Sequence, residues 1–388
     1  MTEYSIPLVY HPQRHYFRDK EEIDAAIQEV LSRGAFVMGR EVPAFEAEFA
    51  NYSNAKYGVA VTSGTAALHV ALLAARVGPG DEVLAVANAD KAMSLAAVHT
   101  GADLKWVDID ERTFNMVPEE LEKALSEKTK AVIVAHMYGL PADMDAIEQV
   151  LKGRDDIVLI EDAALAVGAD VRGRRAGSIG DMACFSIASS KVLGAVGAGG
   201  IVTTNSLEYY QNLNWVRNYG SAKSPYKEDD PMPKHEKGGM MFPGVNERLD
   251  TIQAAVARVK LRKMDADLTK RRANCSIFDE FLADSPCEVP YIPEGFTHSF
   301  RVYPMLVDAD VRDDALKEIQ QAGIQAGAHY VPPDHLHPFF LERGSYQGLL
   351  PNTEKVADRI ICLPCHQYMD SDEVYYVATK TRDILKKY

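Results

Sequence analysis

"YGVAVTSGTAALHVALLAARVGPGDEVLAV", residues 57–86, decides the fold. Tyr57–Val61 is an apolar run of strand length that stops at Ser63 and Gly64. The next dozen or so residues, about 66–77, are almost all apolar, and Gly78, Pro79 and Gly80 interrupt them. A second short apolar run, Val83–Val86, follows. Short apolar runs on either side of a helix, with turn chemistry between them, predict a strand–helix–strand unit.

The alternation extends outward from this unit. "LKWVDID" (104–110), "KAVIVAHMYG" (130–139), "DIVLIEDAA" (156–164) and "DMACFSIAS" (181–189) read as strands. "VPEELEKALSE" (117–127) and "ADMDAIEQVLKG" (142–153) read as helices between them, and 19–34 and 40–54 as helices before them. Apolar strands alternating with helices predict an α/β fold: a mostly parallel sheet covered on both faces. Residues 246–284 read as one long helix joining a large domain, 1–255, to a smaller C-terminal α+β domain, 256–388. The polar, Pro/Gly-rich stretch 218–246 is long enough to cover a site or reach a second subunit.

Composition excludes several functions. The net charge of −14 argues against a nucleic-acid surface, which needs a basic patch. No apolar run approaches the roughly 20 residues that span a bilayer. The N-terminal stretch lacks a basic region followed by an apolar one, which predicts a cytoplasmic protein. Cys184, Cys275, Cys287, Cys362 and Cys365 are odd in number and scattered, as in a reducing compartment without a disulfide framework. "CLPCH" (362–366) matches a haem-attachment pattern, but it continues an apolar strand and no export signal accompanies it. His329, His335 and His337 lie in a Pro-rich loop, and no metal site is expected.

Three features carry chemistry. Gly64 and Thr65 open a helix directly after a strand, where free N–H groups and the helix dipole form an anion site; the alternative is a capped helix and nothing more. Glu161 and Asp162 close an apolar strand, and strand ends are where ligands sit in open α/β sheets. A carboxylate there needs donors or a cation, supplied either by a structural ion pair or by a cationic ring. Lys191 follows Ser186, Ser189 and Ser190 and precedes a glycine-rich, charge-free tail. It is either an ordinary loop lysine or an amine whose pKa is lowered by dry surroundings so that it attacks a carbonyl. No Walker phosphate loop competes for the glycines. A phosphate cradle, a strand-end carboxylate and a Schiff-base lysine, in that order, are what pyridoxal 5'-phosphate requires.

The chain resembles the DegT-type family of pyridoxal-phosphate-dependent sugar aminotransferases along nearly its whole length. The resemblance is carried by "GREVPAFEAEFANY", "VAVTSGTAALHVAL", "MYGLPADMDAI", "IEDAALAVGADVRGRRAGSIGDMACFS", "GVNERLDTIQAA" and "HYVPPDHLHPFF". It implies the aspartate aminotransferase-like fold, that of the fold type I pyridoxal enzymes, and a homodimer with sites at the subunit interface. It implies Lys191 as the cofactor lysine and proton carrier, and Asp162 as partner of the pyridine nitrogen. Gly64, Thr65 and Ser186 would hold the phosphate, joined by Asn246 of the neighbouring subunit, and His329 and Tyr330 would lie near substrate.

Three positions depart from the family pattern. Leu165 stands where the family has glutamine or histidine, Asp90 where it has an aromatic residue over the ring, and Ala198 where it has an acid in "GDGG". Asp90 either points inward to a substrate hydroxyl or faces water. The expected function is transfer of an amino group from glutamate or glutamine to a keto-sugar, nucleotide-linked or a cyclitol, in amino-sugar biosynthesis. The alternatives are a dehydratase or eliminase of the same family, in which histidine replaces the lysine, and a non-catalytic cofactor-binding relative.

Overall fold

The computed structural model describes residues 6–10, 12–221, 239–344 and 348–388, so most of the 218–246 stretch lies outside the described residues. Helices α1 (Pro12–Phe17), α2 (Lys20–Arg33) and α3 (Glu41–Tyr52) come first. The unit at 57–86 folds as β1 (Tyr57–Val61), α4 (Gly64–Ala74) and β2 (Glu82–Val86). The alternation continues through α5 (Lys91–Thr100), β3 (Asp103–Val107), α6 (Pro118–Ala124), β4 (Thr129–Ala135), α7 (Met144–Val150) and β5 (Val158–Asp162). A short ribbon, β6 (Asp170–Val171) and β7 (Arg174–Arg175), precedes β8 (Met182–Ser186), β9 (Gly200–Thr204) and α8 (Leu207–Arg217).

The main sheet has seven strands in the order β1-β9-β8-β5-β4-β2-β3. Strands β3, β2, β4, β5 and β8 pair in parallel, and β9 runs antiparallel to both β8 and β1. The sheet is therefore mixed, with β9 alone reversed. Successive residues serve opposite faces, as the pleat demands. Val59, Val61, Met182, Cys184 and Val202 enter the core shared with α4 and α5. Ala60, Ala183, Phe185 and Ile201 enter a second core with Phe45 and Phe49 of α3.

Local chemistry ends the elements where the sequence suggests. Gly34, at φ 69, caps α2 in the left-handed conformation that glycine adopts without strain. The Ser63 hydroxyl caps α4 by accepting the Ala66 N–H at 3.0 Å.

The long helix expected over 246–284 is two helices, α9 (Thr251–Leu261) and α10 (Met264–Leu282). Lys263 leaves helical geometry at φ −105, ψ 2. Its ammonium and that of Lys260 converge on Asp19 at 2.7 and 2.8 Å. Propensity did not reveal this break, because the partner that holds it lies some 240 residues away in sequence. Helix α9 packs on α2 and α3, whereas α10 packs on α14 (Ser371–Leu385), with α11 (Ala309–Gln321), α12 (Pro338–Leu341) and α13 (Pro351–Arg359) between them in sequence. Strands β10 (Tyr303–Leu306) and β11 (Ile360–Leu363) pair antiparallel beside them. A third core forms there from Phe278, Tyr303, Ile319, Ile361 and Val377, and Ile6 joins it through a bridge to Ile324. Cys362 on β11 enters the first core, Leu363 and Cys365 enter the third, and the His366 ring meets the Pro7 carbonyl at 2.9 Å, so "CLPCH" is built into the interior. Among the described residues no helix is long and apolar enough to cross a membrane.

Candidate active site

The ends of β2, β4 and β5 and the loop after β8 converge on one pocket, as expected for parallel strands that point the same way. Asp90 lines it beyond β2, His136 beyond β4, Asp162 and Leu165 at and beyond β5, and Lys191 beyond β8, with Tyr330 closing it from the C-terminal part of the chain.

Lys191 sits in a loop that its neighbours fix. Ile187 N–H bonds Gly199 O at 2.9 Å, Ser189 N–H bonds Gly197 O at 3.0 Å, and Lys191 N–H bonds Ala188 O at 2.8 Å. The His15 ring meets Gly194 O at 2.9 Å. A Cβ on Gly194 would lie 2.8 Å from Ser189 O and 3.0 Å from Lys191 O, so the tight loop requires glycine there. Burial lowers the Lys191 pKa, the Arg301 guanidinium lowers it further, and Asp90 and Asp162 pull the other way. Dry surroundings and a neighbouring cation thus make the Lys191 amine easier to deprotonate than a surface lysine.

Asp162 and Glu161 divide the work of the β5 end. The Glu161 carboxylate accepts from the N–H groups of Gly177, Ile179 and Gly180, each at 2.9 Å, and meets His136 Nε2 at 2.9 Å. Burial raises its pKa, but His136 and these donors outweigh that and hold it below the usual range. His136 Nδ1 accepts the Ala142 N–H at 3.2 Å, so its Nε2 carries the proton that faces Glu161. The Asp162 carboxylate has a single hydrogen bond among the described residues, from Ala164 N–H at 3.1 Å. Burial raises its pKa, with Lys191 a smaller opposing influence. A half-buried carboxylate short of donors and lining a pocket fits a cationic partner, and the protonated nitrogen of a pyridine ring is one.

The phosphate residues also meet. Gly64 N–H and Thr65 N–H head α4 and, by helix geometry, have no acceptor within it. Ser186, at the end of β8, lies against Gly64 so closely that a Cβ on Gly64 would stand 2.7 Å from Ser186 Cβ. A phosphate fits these donors. Asp90 is exposed at the pocket rim, where its Oδ1 caps α5 by accepting Ala92 N–H at 3.1 Å. His329 lines an adjoining pocket with Lys91 and Asp334, and Tyr330 lines both. Asn246 does not line the Lys191 pocket: it is exposed and accepts from Arg248 Nε at 2.8 Å. Ala198 is exposed.

Residues 18–382 match the DegT/DnrJ/EryC1/StrS aminotransferase family. The chain belongs to this family. A relative from Geobacillus stearothermophilus, described as a pleiotropic regulatory protein, is 35% identical over 96% of this chain and 97% of its own. A UDP-N-acetyl-3-dehydro-alpha-D-glucosamine 3-aminotransferase from Acidithiobacillus ferrooxidans is 34% identical over 98% of both chains. The crystal structure of DesV from S. venezuelae, in complex with a ketimine intermediate, superposes at a TM-score of 0.88 with 33% identity, covering 97% of this chain and 98% of that one. The protein is thus a pyridoxal-phosphate-dependent transaminase of aspartate aminotransferase-like fold, and several of the relatives it resembles are named as transaminases of nucleotide-linked sugars.

Sequence reasoning overlooked two residues of this aminotransferase. His136 lines the pocket, and its signal was its place at the end of an apolar strand beside the β5 end. Arg301 acts electrostatically on Lys191 from a segment with no motif around it.

Proposed function

We propose that this aminotransferase moves an amino group from glutamate or glutamine to a nucleotide-linked keto-sugar, with Lys191 and Asp162 at its centre. The observation that carries the reading is the shared pocket of Lys191, whose pKa burial lowers, and Asp162, a half-buried carboxylate short of donors among the described residues. When bound, pyridoxal phosphate supplies a carbonyl that takes up amines and a ring that withdraws electrons. Lys191 Nζ would hold the cofactor and, once the donor's amine has displaced it, would be the free base that takes up and returns the proton. Asp162 keeps a proton on the ring nitrogen. Gly64 N–H, Thr65 N–H and Ser186 Oγ bind the phosphate, and Asn246 reaches the phosphate of a second subunit in a homodimer. Asp90, His329 and Tyr330 bind the sugar, and the rim position of Asp90 supports the inward reading of its carboxylate.

The same reading divides the chain into a cofactor-binding part, 1–255, and a smaller part, 256–388, supported by the separate C-terminal core. It places the protein in the cytoplasm, where nucleotide sugars are made, in keeping with its unpaired cysteines. Lysine at 191 favours transfer over elimination, for which the family uses histidine.

The visible spectrum of purified holoprotein tests the reading. Added glutamate should bleach the band of lysine-bound cofactor and raise that of pyridoxamine phosphate. A band that ignores every amino donor, with release of a deoxy-sugar, would overturn it in favour of elimination.

A further inference from the structure

Lys191 lies in the loop between β8 and β9, three residues before Gly194. Val192, Leu193 and Ala195 press into the second core, and Gly194 is buried among them. Gly194, at φ 35, packs on the backbone of the lysine itself: a Cβ there would lie 3.0 Å from Lys191 O and 3.1 Å from His15 Nε2. A displacement of Gly194 therefore passes directly to Lys191 on one side and meets His15 on the other.

A buried carbonyl needs a donor, and Gly194 O takes its donor from the N-terminal helix α1. His15 Nε2 lies 2.9 Å from Gly194 O, and no other described group donates to that oxygen. A carbonyl only accepts, so Nε2 carries the proton. Burial, and after it the Lys260 ammonium, brings the His15 pKa down to about 4, which keeps the ring neutral with that one proton. Among the described residues, two side chains from distant parts of the chain bond the backbone of 187–198: His15, and Gln253, whose Oε1 accepts Val196 N–H at 3.2 Å.

His15 is itself fixed. Its own carbonyl accepts Lys260 Nζ at 2.5 Å, and Lys260 also bonds Asp19 at 2.8 Å. Its ring stands between Tyr10 and Tyr368, with centroids 5.3 and 5.5 Å away. Gln253 and Lys260 both belong to α9, so this helix braces the loop once directly and once through His15.

We propose that His15 is a positioning residue for Lys191: its Nε2–H holds the Gly194 carbonyl and, through it, the loop that presents the lysine amine to the cofactor. The proposal rests on the reading of Lys191 as the cofactor lysine. A reacting group displaced by about 1 Å can lose about 100-fold in rate, so a loop held at one carbonyl by one donor matters to the chemistry without touching it.

The test uses holoprotein carrying His15→Gln or His15→Asn. The Gln amide reaches about as far as Nε2 and still donates, whereas the Asn amide ends near the place of Nδ1 and falls short of Gly194 O. Single-turnover formation of pyridoxamine phosphate is titrated with glutamate. At saturation His15→Asn should react about tenfold more slowly with an unchanged half-saturating concentration, and His15→Gln should recover most of the rate. In the apoproteins, amide hydrogen exchange across 192–198 should quicken about tenfold in His15→Asn alone. Urea unfolding run in parallel identifies a merely structural role, which would lower both midpoints and leave the rate per folded molecule untouched. That result, or equal losses in the two variants, would overturn the proposal. Nitrogen chemical shifts of the His15 ring need no variant: a neutral ring protonated at Nε2 is expected, and a proton on Nδ1 would also overturn it. Borohydride reduction of the wild type, followed by peptide mapping, checks the underlying reading. A label on another lysine overturns the role of Lys191 instead, and the exchange rates then still decide whether His15 fixes the loop.

Discussion

Glu161 and Asp162 are consecutive on β5, yet the first carboxylate is saturated with donors and the second accepts one N–H from Ala164 at 3.1 Å. The pleat turns them to opposite faces, so one ties down the 177–180 turn and His136 while the other faces Lys191. Their substitutions should separate stability from activity. Glu161→Gln is expected to lose roughly 2–4 kcal/mol by urea unfolding, since an amide NH2 replaces one carboxylate oxygen and the donors on that side, Gly177 N–H and His136 Nε2, lose their acceptor. Asp162→Asn should keep the wild-type midpoint or exceed it, while the donor half-reaction slows by at least about 100-fold. Equal stability losses in the two variants would refute this division.

The contact between Gly64 and Ser186 sets the width of the phosphate cradle. With a Cβ only 2.7 Å from Ser186 Cβ, Gly64→Ala must push the serine or the helix start aside. Cofactor affinity, followed by absorbance titration of the apoprotein, is expected to fall by more than tenfold. Ser186→Ala removes a single donor and should cost about tenfold. Wild-type affinity in Gly64→Ala would show that the phosphate lies elsewhere.

Asp90 caps a helix and lines the pocket, and two variants distinguish these roles. Asn also caps, so Asp90→Asn should leave thermal stability nearly unchanged, whereas Asp90→Ala should lose about 1 kcal/mol. If the carboxylate binds a sugar hydroxyl, both variants raise the KM for the sugar by about tenfold and spare the KM for glutamate. An unaltered sugar KM in Asp90→Asn would reduce this residue to a cap.

His298 makes stability depend on pH. It is buried, it stacks on Phe300 with ring centroids 3.9 Å apart, and its Nδ1 accepts the Phe300 N–H at 2.8 Å. Burial, with Arg272 nearby, brings its pKa down to about 3 from 6.5. The unfolded chain therefore binds a proton below pH 6.5 that the folded protein refuses. The stabilising effect is whole above pH 6.5 and is lost as pH falls toward 3. Near pH 5 this one group contributes about 1.3 kcal/mol per pH unit to the slope of unfolding free energy. His298→Asn retains an acceptor for Phe300 and should flatten the slope by that amount. Identical slopes in variant and wild type would mean that His298 titrates freely when folded.

Much of the site was legible because each signal is local. Lys191 in a small-residue loop, Asp162 at a strand end and Gly64 at a helix head are read from a few neighbouring residues, and all three lie at the ends of sheet strands. Asp90 was legible as a departure from pattern, but its capping bond to Ala92 depends on a backbone geometry that residue identity does not specify. Arg301 and His136 carried no motif. The importance of His136 comes from what it shares in space, the Glu161 carboxylate.

The alternation of apolar runs by itself determined the α/β class, the order of strands and helices, and the chemistry of a lysine, a carboxylate and a phosphate cradle. These follow from periodicity and turn residues, which act over a handful of positions. Only the tertiary structure decided that β9 is reversed, that 246–284 breaks where Lys260 and Lys263 reach Asp19, and that Glu161 rather than Asp162 is the structural acid. Such outcomes depend on partners hundreds of residues apart and on which buried charges find donors, and folding settles both for the whole chain at once.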